Sequence, residues 1–70
     1  MPREKELMHE HLEELYQRFG RETAMITLRD AAQYCGLDPR TLLADKTFPV
    51  RPFGRQYRVA LINLARWLAA

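Results

Sequence analysis

Seven basic side chains, Arg29, Arg40, Lys46, Arg51, Arg55, Arg58 and Arg66, lie between residue 26 and the end of this 70-residue chain, against only Asp30, Asp38 and Asp45. Cations in such excess suit phosphate oxygens, whose counterions they displace. An arginine that reaches a base edge does more: it pairs bidentately with guanine O6 and N7, giving about 1–3 kcal/mol of discrimination against a wrong base. Arg51, Arg55 and Arg58 fall within eight positions around Gly54, and Arg40 and Thr41 follow directly on Pro39. Residues 1–25 have the opposite sign, with Arg3, Lys5, Arg18 and Arg21 against Glu4, Glu6, Glu10, Glu13, Glu14 and Glu22. The two parts carry −2 and +4, which return the +2 of the whole chain. This asymmetry predicts a polyanion-binding face with an acidic back, although three arginines on one hairpin also serve as plain solubilising charge.

Other reactive groups are poorly placed. His9 and His11 are two residues apart, hence on different sides of a helix. One cysteine and two separated histidines make no zinc set, and Cys35 sits on an apolar face just before a glycine, where a structural thiol is the expectation. Glu10, Glu13 and Glu14 belong to a solvated helix face, and glycines scattered at 20, 36 and 54 form no phosphate loop. No enzymatic activity, metal or cofactor is expected. With 47% apolar and 29% charged residues the composition is that of an ordinary globular domain. The apolar run from Val59 to Ala70 is broken by Asn63 and Arg66 and is shorter than the roughly 20 residues that span a bilayer. No leader-like stretch follows the N-terminus, so a small cytoplasmic protein is expected, with no membrane partner.

The elements that must position the cations can be read from period and punctuation. Met8, Leu12, Leu15 and Phe19, flanked by Leu7 and Tyr16, form one stripe of an amphipathic helix over residues 3–19, with Gly20 at its C-cap. Residues 1–22 are read as this helix, packing on the remainder or dimerising through a short coiled-coil seam. Thr27 then caps a second helix, with Asp30 completing an approximate capping box and Leu28, Ala31, Ala32 and Cys35 on its apolar face. Gly36 ends that helix, Leu37 is expected as an apolar plug, and Asp38-Pro39 starts a brief third helix over roughly 39–45. Leu42 is expected to face inward there, with Leu43 as a second candidate, and Lys46 is placed on the same element. Pro49 and Pro52 forbid a continuing helix. Val50, Phe53-Gly54-Arg55, Tyr57 and Val59 read as a short hairpin with Gly54 in the turn, Tyr57 and Val59 facing the core, and Gln56 and Arg58 facing outward. A last helix over about 60–69 carries Leu61, Leu64, Ala65 and Leu68 on one stripe, with Trp67 as the largest core candidate.

From Ile26 to Leu68 the motifs stand in a familiar order: Ile26-Thr-Leu-Arg-Asp-Ala-Ala-Gln-Tyr-Cys-Gly-Leu37, then Pro39-Arg-Thr-Leu-Leu43, Phe48-Pro-Val50, Gly54-Arg-Gln-Tyr-Arg-Val59 and Leu64-Ala-Arg-Trp-Leu68. This resembles the excisionase-type, MerR-like winged helix-turn-helix domains of phages and integrative elements. The resemblance covers Ile26 to Leu68, about two thirds of the chain, leaves the N-terminal helix outside, and implies a winged helix-turn-helix domain over residues 23–70, a mainly α fold with a small β-hairpin as wing. Phe53 stands where such domains often carry a second glycine, which makes the tip stiffer and more apolar.

The resemblance implies double-stranded DNA as partner, bound by an excisionase-like recombination directionality factor or a transcriptional regulator, with an integrase or a second copy as further partners. Arg40 and Thr41 would reach base edges from the recognition helix, Lys46 a phosphate, and Arg29 a phosphate from the second helix. On the wing, Arg51, Arg55, Gln56 and Arg58 would follow the backbone or the minor groove. Tyr34, Phe53 and Tyr57 offer no continuous stacking face, though Phe53 at the tip is suited to act as a wedge or an interface knob. The competing expectation is a protein-interaction adaptor or inhibitor that docks through the acidic N-terminal helix.

Overall fold

The computed structural model describes residues 2–70, with side-chain burial described from Lys5 onward. In chain order the elements are helix α1 (Pro2–Phe19), strand β1 (Met25–Thr27), helices α2 (Leu28–Cys35) and α3 (Pro39–Ala44), strands β2 (Val50–Phe53) and β3 (Gln56–Ala60), and helix α4 (Leu61–Ala69). Four helices thus accompany a three-stranded antiparallel sheet of order β1-β3-β2. The expected hairpin is present, and β1 adds a third strand that was not expected.

Four of the helix boundaries follow from local chemistry. Gly20 closes α1 at φ +98°, its N–H donating to Tyr16 O at 2.7 Å while the Thr23 hydroxyl donates to Phe19 O at 2.6 Å. Thr27 ends β1 and caps α2, its Oγ1 accepting the Asp30 N–H at 3.0 Å. Gly36 takes φ +70°, and the following Leu37 N–H reaches back to Ala32 O at 3.0 Å, the long bond of a Schellman stop. Asp38 then caps α3 through Oδ1, 2.8 Å from the Arg40 N–H, with Pro39 at the first helical position.

The core joins every element except the hairpin tip. Leu15 from α1, Ile26 from β1, Ala31 and Ala32 from α2, Leu42 from α3, Val59 from β3, and Leu61, Leu64 and Ala65 from α4 are all buried, together with Phe48 from the loop before β2. The stripe on α1 lies along α4, so Met8, Leu12, Tyr16 and Phe19 pack on the chain's own core. Ala31 and Ala32 let α2 approach closely, as small side chains allow.

Several expected core positions differ. Leu37 is 44% exposed and plugs nothing, because the Schellman turn turns it outward. Leu43 is 42% exposed; α3 is too short to bury more than the single stripe position taken by Leu42. Tyr57 is 43% exposed: it shares the inward face with Val59, but the hairpin extends past the end of the core. Trp67 is only partly buried, its ring edge-on to Phe48 at 5.0 Å and its Nε1–H donating to Thr47 Oγ1 at 3.0 Å. The Thr47 hydroxyl in turn donates to Asp45 Oδ1 at 2.7 Å, so α4 fixes the connection between α3 and β2. Lys46 belongs to that connection and not to α3, which ends at Ala44.

Leu15 is the fully buried link between α1 and α4. Leu15→Ala should lower unfolding free energy by about 2–5 kcal/mol, a large share of the stability of a chain this small. An unchanged urea midpoint would mean that α1 does not dock as described.

Candidate functional site

Two groups of predicted residues emerge on separate elements. The first surrounds the α2–α3 corner. Arg29 is exposed in the first turn of α2, where it lines a shallow recess with Ala32, Gln33, Leu37 and Pro39. Arg40 and Thr41 are exposed in the first turn of α3 immediately beyond Pro39. The recess therefore connects Arg29 on one helix to the start of the next. Lys46 stands exposed in the loop that follows.

The second group is set by the register of the hairpin. Phe53 pairs with Gln56 across the two-residue loop Gly54-Arg55, so Pro52 pairs with Tyr57, Arg51 with Arg58, and Val50 with Val59. Gly54 has φ +63° and Arg55 has no positive φ, the signs of a type II′ turn with glycine at its first position. On the other side of β3, Ile26 pairs with Val59 and Thr27 with Arg58. Directly paired residues share a face. One face therefore presents the row Ile26, Val59, Val50 to the core, and the other presents Thr27, Arg58, Arg51 and, one row on, Gln56 and Phe53. Arg55 extends from the loop itself.

The Arg51–Arg58 pair was not anticipated, although counting outward from the Gly54-Arg55 loop would have found it. Two guanidiniums directly opposite on one face repel. Arg58 Nη2 donates to Gln56 Oε1 at 2.7 Å along its own strand, which holds that guanidinium on the outer face without neutralising it. Met25, Phe53, Gln56 and Arg58 line a shallow recess on this face.

Of the three acids of residues 26–70, two are engaged in local hydrogen bonds. Among the described residues the only ion pair joins Arg21 to Glu13, on and just after α1. Asp38 is committed to the α3 cap and Asp45 to Thr47. Hydrogen bonds from the Thr47 hydroxyl and then its backbone N–H hold the Asp45 carboxyl below the usual carboxylate range, so the loop keeps its anchor at neutral pH and loses it as pH falls through that lowered value. Two N-terminal cations are also engaged: Arg18 lies over the rings of Phe19 and Tyr34 at 5.7 and 5.8 Å, and Arg21 over Tyr16 at 5.7 Å. Glu6, Glu10, Glu14 and Glu22 remain exposed, and Glu14 Oε2 accepts from the Tyr34 hydroxyl at 3.2 Å. Burial, then that hydrogen bond, raise the Tyr34 pKa; burial alone raises that of the Cys35 thiol, which keeps it protonated at neutral pH.

Among the described residues no three His, Cys, Asp or Glu side chains gather to hold a metal ion. None of the described helices is long and apolar enough to cross a membrane. No family model matches the chain, and neither a curated protein nor a solved structure matches it.

The opposed guanidiniums give a measurable signature. Arg51→Thr should raise the stability of the free protein by about 0.2–1 kcal/mol at low salt, with the gain shrinking as salt screens the repulsion. Urea melts at two ionic strengths decide it, and a loss of stability at both would show that the two charges do not oppose one another.

Proposed function

We propose that the chain is a winged helix-turn-helix DNA-binding protein of the excisionase-like, MerR-like kind, in which α2 and α3 form the helix-turn-helix and β2–β3 the wing. One observation carries the reading: none of the seven cations of residues 26–70 forms an ion pair among the described residues, and six of them, all but Arg66 on α4, fall on or beside the elements that such a domain applies to a duplex. Arg40 and Thr41, in the first turn of α3, are suited to base edges in the major groove. Arg51, Arg55 and Arg58 are suited to phosphates and to a narrow minor groove, while Arg29 and Lys46 flank the helix as phosphate contacts.

The biological setting that fits is a small phage or mobile-element protein of the cytoplasm, acting in recombination directionality or transcription. An integrase or further copies of the chain on neighbouring sites would supply the affinity that one small domain lacks. The competing adaptor reading has less to draw on, because the Leu/Phe stripe of α1 is already engaged by α4.

Titration of DNA binding against salt tests the proposal. Each phosphate contact contributes about −0.9 to the slope of log K against log salt, so a slope indistinguishable from zero rejects it. Arg40→Ala should relax base preference by about 1–3 kcal/mol at one position, whereas Arg55→Ala should weaken all sequences alike and reduce the slope by about 1.

A further inference from the structure

We infer that the outer face of the sheet holds a single unstacked nucleotide of a bound strand, its base against Phe53 and its phosphate between Arg51 and Arg58. The inference rests on the DNA-binding reading above and adds to it a site for a base that has left the helical stack.

Phe53 is 53% exposed, the most open of the large apolar side chains, and it lies on the same face as the two opposed arginines, one row nearer the tip. Two residues along a strand place the Cα atoms of Phe53 and Arg51 roughly 6.8 Å apart, with both side chains on one face, so an aromatic ring and a cation stand side by side within the reach of one nucleotide. The arginine pair is an unneutralised cationic site, since the described residues supply it with no carboxylate. An anion lying between the guanidiniums removes the repulsion that their register imposes. Opposite Phe53 stands Gln56, whose Oε1 already accepts from Arg58; its amide nitrogen remains to donate to an acceptor on a base edge. Met25 forms the other apolar wall of the recess.

Charge complementarity and the lone aromatic together select a nucleotide as occupant. A base paired within a duplex offers its edges but not its flat face, so only a bulged or extruded base can lie on this ring. One aromatic–base stack corresponds to about a 5- to 100-fold gain in affinity.

The experiment compares three labelled duplexes of one sequence by fluorescence anisotropy: fully paired, with one bulged adenine, and with an abasic bulge at the same place. The protein should bind the adenine bulge about tenfold or more tighter than the abasic bulge. Phe53→Ala should bind both bulges equally and leave the paired duplex unchanged, while Phe53→Tyr should keep the preference. Salt-dependent binding of the paired duplex without preference between the bulges overturns this inference alone, as does a preference that survives Phe53→Ala. Failure to bind any of the three overturns the DNA-binding reading with it.

Discussion

Burial of Val59 between Ile26 and Val50 governs the rest of the molecule. The pleat leaves no freedom once that row faces the core: Arg58 must face outward, and its partners Thr27 and Arg51 must follow. A slip by one residue would turn guanidiniums into the core and Val59 into water, so the apolar row and the charged row enforce each other. The two-residue loop at Gly54-Arg55 fixes the same register from the other end of the hairpin. Because α4 starts directly after β3, with the Leu61 N–H bonded to Ala24 O at 3.0 Å, the strand also sets where the last helix begins. That helix carries Leu61, Leu64 and Ala65 to Leu15 of α1.

The charge asymmetry of the sequence becomes a division of labour in the fold. Arg18 and Arg21 lie over aromatic rings, Arg21 also beside Glu13, and the acids Asp38 and Asp45 are held by backbone N–H groups. What remains in solution is a set of glutamates on α1 and a set of arginines on α2, α3 and the hairpin. Hydrogen bonds to local N–H groups thus occupy the Asp38 and Asp45 carboxylates, and among the described residues no cation of residues 26–70 forms an ion pair.

The helices were legible because their signals are local. Thr27, Asp38-Pro39 and the glycines at 20 and 36 each act within one turn, and all four appear in the structure as the sequence suggested. The hairpin was legible for the same reason, through Gly54 and the alternation after it. β1 was not, because Met25-Ile26-Thr27 is too short to display a period and is a strand only by pairing with β3, more than thirty residues away. Tyr57 shows another limit: alternation gives its face correctly but not where the core beneath it ends. Phe48, flanked by Thr47 and Pro49, has no periodic signal at all and is buried through contact with Trp67. As for the candidate site, its residues were visible in the sequence but their groupings were not, since the Arg51–Arg58 pair and the Phe53–Gln56 neighbour depend on register.

The bond from Trp67 to Thr47, passed on to Asp45, ties the last turn of α4 to the exit of α3. The chain's tail therefore works as a strut between the short helix and the hairpin, alongside the core that Leu42 and Val59 share. Helix and hairpin keep a fixed pitch while that turn stays wound; if it uncoils, the loop loses this anchor and the core alone holds Arg40 at its spacing from the hairpin arginines.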